Sequence, residues 1–402
     1  MELVTAADVD EAAGVLDGVV DLTPLQGSRA LAAHVGQQVL LKCENLQRTG
    51  SFKLRGAYHR IHRLDDEQRA RGVVCASAGN HAQGVALGAS MQGVDATVFM
   101  PEQAPLPKVE ATRGYGATVV AEGNSFDEVL ERAMAFTEEQ GRVFVHPFDH
   151  PDIIAGQGTL GRELLDQDAR FTTVVVPIGG GGLVSGVAVA IKAARPDVRI
   201  VGVQAAGCAP VAPSLAAGEP VPAPSVDTIA DGIAVKQPGR LTLAHIDALV
   251  DDVVTVDDQA IARALTLLLE RAKLVCEPSG AVGVAALIEG LVEVDGPVVA
   301  ILSGGNIDPM MLDHLVRSGL AEEGRHVTLH TRIADRPGAL AAFLEVLAEL
   351  RANVVGVEHQ RFGRRLRIGQ VDVVVELEAR GEPHIEELVS QLRERGHVVT
   401  RV

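Results

Sequence analysis

The chain has 402 residues and a formal net charge of −17 at neutral pH. Apolar residues make up 47% and charged residues 22%, which is typical of a globular protein, and the length predicts two or three domains. So acidic a surface repels phosphate backbones and anionic lipid headgroups, which excludes nucleic acid and membranes as partners.

The four cysteines indicate a reducing compartment. They lie far apart and form no CxxC pair, which favours free thiols over a disulfide framework or a zinc site: Cys43, Cys75, Cys208 and Cys276. The N-terminal stretch MELVTAADVDEAAG has no basic region or apolar core of a signal peptide. No apolar run approaches the roughly 18 residues of a membrane helix. We therefore expect a soluble, cytoplasmic protein.

Between about residues 38 and 318, short β-branched runs alternate with Ala-rich helical stretches. This alternation predicts βαβ units around a parallel sheet, and the continuous apolar character of the runs predicts burial on both faces. The predicted buried strands are Gln38–Lys42, Val73–Ala76, Ala96–Met100, Thr118–Ala121, Thr172–Pro177, Arg199–Gln204 and Val298–Leu302.

A second module follows the polar stretch SGLAEEGR, which covers Ser318–Arg325 and reads as a linker. The remaining residues predict a βαββαβ unit of ferredoxin-like type. Its elements are a strand at His326–Ile333, a helix at Pro337–Leu350, strands at Asn353–Gln360 and Gln370–Ala379, a helix at Pro383–Arg395 and a strand at His397–Val402. The predicted domains are 1–320 and 325–402.

The first candidate for chemistry is the stretch NLQRTGSFKLRGA, Asn45–Ala57. Lys53, at a predicted helix start, could form an imine if loss of solvent lowered the pKa of its amine. Phe52 could pack on a flat cofactor ring. Taken alone, a lysine of this kind is far more often a solvated surface residue, and Phe52 could simply belong to the core.

The second candidate is the run PIGGGGLVSG, Pro177–Gly186, between a predicted strand and a helix. Glycines let the backbone approach an anion, and a helix N-terminus supplies free N–H groups, so this turn suits a phosphate. No GK[ST] follows, so it is not a Walker loop, and Val184 or Ser185 stands where a dinucleotide fingerprint needs its third glycine. A flexible turn without a ligand is the alternative.

Two small polar loops also follow predicted strands: SAGNHAQG, Ser77–Gly84, and SGGN, Ser303–Asn306. Ligands gather at the carboxyl ends of parallel strands, so both loops should face one crevice. They could also be ordinary Asn and Gly turns, and His81 is more often structural than catalytic.

Seven blocks in this order resemble the fold-type II pyridoxal-phosphate enzymes, specifically the threonine dehydratases. The blocks are SFKLRGA, SAGNHAQG, IAGQGT, GGGGL, ADGIAVK, EPSGA and SGGN. The resemblance spans residues 5 to 318. It implies a two-lobed α/β catalytic domain, with a small lobe of about residues 50–150 and the cofactor between the lobes. It also implies a homo-oligomer, either a tetramer or a dimer.

The resemblance also implies roles for individual residues. Lys53 would bind the cofactor covalently and take the proton from the substrate Cα. Phe52 and Asn80 would contact the cofactor ring, Asn80 at its 3-hydroxyl, and Ser303 would contact the pyridine nitrogen. The phosphate would lie on Gly179, Gly180, Gly181, Gly182 and Leu183. The substrate carboxylate would lie on Ser77, Gly79, Asn80 and His81. The role of Glu277, in the EPSGA block, stays open.

The implied reaction converts L-threonine to 2-oxobutanoate and ammonia, and L-serine to pyruvate. Serine racemases resemble the chain through nearly the same blocks, but a second serine of those enzymes is replaced here by Ala78, whose methyl group cannot transfer a proton. Gln204 and Pro210 replace the acidic residues of a divalent-cation site, so we expect no metal there. A non-catalytic amino-acid sensor is the alternative from another class, and the presence of Lys53 argues against it.

The C-terminal module carries DRPGAL, Asp335–Leu340, and resembles the ACT family of amino-acid-binding regulatory domains. The resemblance places an effector at Asp335 and Gly338, and Asn353 could reach the same place. Feedback by isoleucine or valine is a hypothesis that follows from it. A dimerisation domain without a ligand is the alternative, because ferredoxin-like topology alone assigns no function.

Overall fold

The computed structural model describes residues 2–361 and 367–402 and divides the chain into two compact units, Met1–Ile307 and Asp308–Val402. Each unit is described by itself. No helix in the described ranges is both long and apolar enough to span a bilayer. All four cysteines are free and buried.

The described residues form sixteen α-helices, numbered along the chain. They are α1 Ala6–Leu16, α2 Arg29–Val35, α3 Lys53–His62, α4 Asp66–Arg71, α5 Asn80–Met91, α6 Leu106–Gly114, α7 Phe126–Gln140, α8 Pro151–Gln167, α9 Gly182–Ala194, α10 Val211–Ala217, α11 Arg240–Leu249, α12 Asp258–Leu267, α13 Pro278–Ile288, α14 Pro309–Glu322, α15 Ala339–Glu349 and α16 Glu382–Glu394.

The described residues also form fourteen strands. They are β1 Leu25–Gly27, β2 Val39–Cys43, β3 Val73–Ala76, β4 Ala96–Met100, β5 Thr118–Ala121, β6 Val143–Phe144, β7 Thr173–Pro177, β8 Arg199–Ala205, β9 Asp252–Val256, β10 Val298–Leu302, β11 His326–Ala334, β12 Asn353–Gln360, β13 Gln370–Glu378 and β14 Val399–Arg401.

The larger sheet of the first unit has the order β1-β2-β10-β7-β8-β9. Its pairs are parallel except that of β1 with β2. Every residue of β2, β7 and β10 is buried, as their continuous apolar sequences predict for strands covered on both faces. The core on one side of this sheet is aliphatic apart from Phe171.

The smaller sheet has the order β5-β4-β3-β6 and is parallel throughout. The predicted bounds of β3, β4, β5 and β10 are confirmed to the residue. The prediction that β5 is buried is wrong, because β5 lies at the sheet edge and leaves Thr118 and Ala121 exposed. Strands β1, β6 and β9 were not predicted; β1 and β6 have only three and two residues.

The C-terminal unit contains a βαββαβ arrangement, with strand order β12-β13-β11-β14 and antiparallel pairs. Alternate residues of β13 are buried, including Val373 and Val375, because one face of the sheet packs against the helices. Phe343 of α15 and Leu388 of α16 complete this core and are fully buried. The predicted fold class is therefore confirmed for both modules.

The predicted linker at Ser318–Arg325 is wrong for most of its length. Helix α14 continues through Glu322, and Gly324, with a φ of 65°, follows its end. Gly319 lies buried inside the helix, where a glycine costs only about 0.5 to 1 kcal/mol relative to alanine. The polar residues that indicated a loop are compatible with an exposed helix face.

Candidate active site

A cavity of about 1230 Å³ lies where strands of both parallel sheets end in the first unit. It is lined by residues that follow β3, β6, β7 and β10, as expected for the carboxyl ends of parallel strands. Twelve residues predicted for cofactor or substrate line it: Phe52, Lys53, Ser77, Gly79, Asn80, His81, Gly179, Gly180, Gly181, Gly182, Leu183 and Ser303.

Lys53 is the first residue of α3, and its side chain enters this cavity. Its Nζ donates a hydrogen bond to the Pro147 carbonyl at 3.0 Å and lies 5.2 Å from the centre of the Phe52 ring. Burial lowers the pKa of the amine to about 8, although the charge of Glu277 opposes the change. A substantial fraction of the amine is therefore neutral near pH 8, as a nucleophile requires.

Buried charges hold helix α3 in place two residues beyond Lys53. The guanidinium of Arg55 donates to both carboxylate oxygens of Glu44, at 2.8 Å each, and to Glu163 at 2.6 and 3.0 Å. Lys42 donates to Glu163 at 2.6 Å. Arg55, Lys42 and Glu44 are fully buried. Two positive and two negative charges balance, which a buried cluster needs to avoid an uncompensated charge.

The four glycines between β7 and α9 are confined by their neighbours. A Cβ on Gly180 would lie 2.3 Å from the Phe148 ring, and one on Gly182 would lie 3.0 Å from the same residue. Gly181 has a φ of 98°, and a Cβ there would meet Thr242 at 2.8 Å. The first N–H groups of α9 have no acceptor within the helix. The turn is therefore a narrow backbone cradle with donors, which fits a phosphate.

Helix α11 fixes the shape of this cradle. The hydroxyl of Thr242 donates to the Gly180 carbonyl at 2.6 Å. The carboxylate of Asp149 accepts the backbone N–H groups of Arg240, Leu241 and Thr242 at 3.0 to 3.1 Å. A carboxylate at a helix N-terminus is stabilised by the helix dipole. Asp149 thus connects the segment that carries Phe148 to the helix that holds Gly180.

Asn80 begins helix α5 and contacts two other polar residues. Its amide donates to Glu277 Oε1 at 2.7 Å, and its carbonyl oxygen accepts from the amide of Asn306 at 2.8 Å. Burial and then the charge of Asp231 raise the pKa of Glu277 to about 7. Glu277 lines the cavity, so a carboxyl group of raised pKa lies there beside Asn80.

The loop Ser77–His81 places the N-terminus of α5 at the cavity. Ser77 Oγ accepts the N–H of Gly79 at 3.1 Å. The His81 ring is buried and bound through Nε2 to the Val145 carbonyl at 2.9 Å, and burial lowers its pKa to about 3. A carbonyl only accepts, so this ring is a neutral donor that serves the fold. The backbone N–H groups of this turn are the donors available to a carboxylate.

Ser303 follows strand β10 and is almost fully buried at the cavity wall. Its carbonyl accepts the N–H of Phe52 at 3.1 Å, which places the Ser303 loop beside the start of α3. Phe52 and Ser303, both predicted to contact the cofactor, are thus joined by a backbone hydrogen bond. Ala78 lines the same cavity.

A third wall of the cavity was missed at the sequence level: Phe144, His146, Pro147, Phe148 and Asp149. The His146 ring accepts the N–H groups of Phe148 and Asp149 at Nδ1, at 3.2 and 2.8 Å. Its edge meets the Phe148 ring at a centroid distance of 4.7 Å. The sequence HPFD offered a signal, since His, Phe and Asp gather before the Pro-initiated helix α8.

The residues predicted for an effector do not all meet in the C-terminal unit. Gly338, with a φ of 88°, immediately precedes α15, and Asp335 immediately follows β11. Asn353 pairs with Glu378 at one end of β13, whereas Ala334 pairs with Gln370 at the other end. Eight residues of strand separate the two ends, about 26 Å. The expectation that Asn353 reaches the Asp335 site is therefore not met within one chain.

No group of three or more His, Cys, Asp or Glu that could hold a metal occurs in residues 2–361 and 367–402. Gln204 accepts the Val211 N–H through its side-chain oxygen at 3.0 Å. The amide thus joins the end of β8 to the start of α10.

Comparison with known proteins connects this geometry to two families. Residues 16–304 match the family described as pyridoxal-phosphate dependent enzyme, and residues 327–394 match the ACT domain. The chain is 48% identical to an L-threonine ammonia-lyase of Thermotoga maritima over 99% of each chain.

Two solved structures share the fold of the catalytic unit. The maize serine racemase is 38% identical, with a TM-score of 0.75 over 80% of this chain and 100% of that one. The processed form of threonine deaminase isoform 2 from Solanum lycopersicum is 36% identical, with a TM-score of 0.73 over 78% of this chain and 89% of that one.

Proposed function

Because the chain belongs to the family of pyridoxal-phosphate dependent enzymes, we propose that it is a lyase that converts L-threonine to 2-oxobutanoate and ammonia. The observation that carries this proposal is one cavity lined both by a buried amine of lowered pKa, at Lys53, and by the glycine cradle at residues 179–182. L-Serine, which lacks only the terminal methyl group, would give pyruvate.

The residues of the cavity fit pyridoxal phosphate. A Cβ would clash at Gly180 and Gly181 and would be tight at Gly179 and Gly182, so the cradle is bare backbone that a phosphate can approach closely, and Lys53 can react with the aldehyde. Asn80 would contact the ring 3-hydroxyl, Phe52 the ring, and Ser303 the pyridine nitrogen. When bound, the cofactor supplies an electron sink that stabilises negative charge at the substrate Cα.

The side chains then have separate tasks. Lys53 takes the proton from Cα, since its pKa of about 8 suits an amine that must be neutral near physiological pH. The turn that carries Ser77, Gly79, Asn80 and His81 binds the substrate carboxylate, because the N-terminus of α5 attracts negative charge. Ser303 offers a neutral hydroxyl, which leaves the pyridine nitrogen without an ionised partner.

Racemisation is the second candidate, since the maize serine racemase shares the fold. A racemase must return a proton to the opposite face of Cα, which requires a second acid. Ala78 lines the cavity where related racemases have a serine, and its methyl group cannot serve. This favours elimination over racemisation.

The C-terminal unit supports a further proposal, that an amino acid regulates the enzyme. Its match to the ACT family and the positive φ of Gly338 at the start of α15 support a small ligand near Asp335. Isoleucine and valine are the effectors to try first. We also propose that the chain self-associates as a dimer or a tetramer. Unchanged kinetics and no binding heat with either amino acid would remove the regulatory proposal.

The test of the catalytic proposal replaces Lys53 with Ala and measures ketoacid release from L-threonine and L-serine. The purified wild type should be yellow and should form 2-oxobutanoate, whereas the rate of ketoacid release by Lys53→Ala should be lower by about 10²- to 10⁴-fold. Lys192→Ala is the control, because Lys192 pairs with Asp251 outside the cavity lining. A wild type that binds amino acids without releasing ketoacid would instead indicate a sensor.

A further inference from the structure

His146 lines the cavity, yet the proposed function gives it no task. Its Nδ1 accepts two backbone N–H groups, from Phe148 and Asp149. A nitrogen that accepts cannot carry a proton, so the neutral ring must carry its proton on Nε2. The loop itself therefore selects the tautomer.

The Nε2–H of His146 is a donor without a protein acceptor. Within the described ranges, this atom makes no hydrogen bond to the protein, and it is not a buried polar atom without a partner. It therefore remains accessible from the cavity that the ring lines. Burial lowers the pKa of the ring to about 4; the charge of Asp149 opposes this change, and the charges of Lys53 and His150 add to it, so the ring stays neutral at physiological pH.

The position of the ring indicates which substrate group it can meet. Pro147, the next residue, accepts the hydrogen bond of Lys53 Nζ. The edge of the His146 ring meets Phe148, whose ring lies against the glycine cradle at Gly180. His146 thus belongs to the wall segment whose next two residues contact the amine and the cradle, whereas the N-terminus of α5 is the place for the carboxylate.

We infer that His146 donates a hydrogen bond from Nε2–H to the β-hydroxyl of the bound amino acid and thereby selects β-hydroxy amino acids as substrates. This inference rests on the proposed function. A neutral donor matches a neutral hydroxyl, and a donor fixed by its own loop orients that oxygen without reorganising. The residue then discriminates between leaving groups by whether they accept a hydrogen bond.

The variant His146→Asn separates the two roles of the ring. The Asn side-chain oxygen occupies the place of Nδ1 and can accept the N–H groups of Phe148 and Asp149, as in an Asx turn. No donor remains at the place of Nε2. His146→Ser is the second variant, because its hydroxyl can also accept such N–H groups. It replaces His146→Asn in the measurements if His146→Asn does not fold.

The experiment compares two leaving groups on the holoenzyme. L-Threonine loses a hydroxyl, which needs the hydrogen bond, and β-chloro-L-alanine loses chloride, a weak acceptor. In His146→Asn, kcat/KM for L-threonine should fall about 10- to 100-fold, whereas kcat/KM for β-chloro-L-alanine should stay within about threefold of the wild type.

Calorimetry adds a measurement independent of turnover. L-2-Aminobutyrate is threonine without the hydroxyl, so the Kd for its binding should be equal in His146→Asn and the wild type, within about twofold. Equal losses for both substrates, or a weaker L-2-aminobutyrate complex, would show that His146 only supports the wall, and would overturn the inference.

Retention of full threonine activity in the variant would overturn the inference and leave the proposed function intact. A wild type that processes β-chloro-L-alanine but releases no 2-oxobutanoate from threonine would refute the proposed function, and the inference would fall with it.

Discussion

Replacing Gly180 with Ala tests the glycine cradle with a single methyl group. The added Cβ would lie 2.3 to 2.4 Å from three atoms of the Phe148 ring. Since ordinary carbon contacts begin near 3.4 Å, the ring must retreat by roughly 1 Å. The backbone of Phe148 cannot follow easily, because its N–H is bound to His146 and the next residue, Asp149, caps α11.

The expected cost is about 1 to 3 kcal/mol, the usual range for overpacking a tight site. Because the Phe148 ring forms one side of the cradle, we expect this cost to reduce the free energy of cofactor binding. The affinity for the cofactor should therefore be about 5- to 150-fold lower. The assay removes the cofactor by dialysis against hydroxylamine, titrates the protein with pyridoxal phosphate and follows the absorbance.

Gly14→Ala provides a matched control. Gly14 lies inside helix α1, and nothing stands within 4 Å of a Cβ built there. This variant should keep its cofactor affinity. Its free energy of unfolding should rise by about 0.5 to 1 kcal/mol, because alanine loses less conformational entropy than glycine when a helix forms. If Gly180→Ala bound the cofactor as tightly as the wild type did, the steric account of the cradle would be wrong.

Two further predictions concern buried charges. The pKa of Glu277 rises from 4.5 to about 7 on folding, so ionisation is opposed only in the folded protein. The free energy of unfolding of Glu277→Gln, measured with urea, should therefore exceed that of the wild type by an amount that grows as the pH rises from 4.5 to 7. Above pH 7 this difference should stay constant at about 3 kcal/mol. Arg55→Leu removes the ion-pair partner of the buried Glu44, while Glu163 keeps Lys42, and should cost about 3 to 5 kcal/mol of unfolding free energy. Arg63→Leu, at an exposed ion pair, should cost less than about 1 kcal/mol. A pH-independent difference for Glu277→Gln, or equal losses in the two arginine variants, would contradict these accounts.

Local patterns allowed most of the fold to be predicted. Runs such as Val73–Ala76 and Val298–Leu302 combine β-branched residues with burial, so their bounds follow from a few neighbouring residues. Errors arose where tertiary position overrides the local pattern. The run Thr118–Ala121 looks buried but lies at an edge, and SGLAE continues a helix although its glycine and polar residues suggest a loop.

The same division applies to the site. Lys53 and the glycine cradle could be named from contiguous motifs, because each carries its chemistry in a few adjacent residues. Their surroundings could not. The carbonyl that holds Lys53 Nζ belongs to Pro147, 94 residues away, and the hydroxyl that holds Gly180 belongs to Thr242. For Asn353, the local pattern predicted its strand but not the register of the sheet, which places Asn353 and Asp335 at opposite ends within one chain.

Motifs of this kind therefore identify the reaction class more readily than the substrate. The amine and the phosphate cradle serve any amino acid that the cofactor can bind, whereas the wall Phe144–Asp149 is the part of the cavity that those motifs leave undescribed. His146 presents its donor only because two backbone N–H groups fix its tautomer. A relative with identical motifs and a different residue at this position would keep the cofactor and change its preference among leaving groups, since the discriminating atom belongs to the wall and not to the motifs.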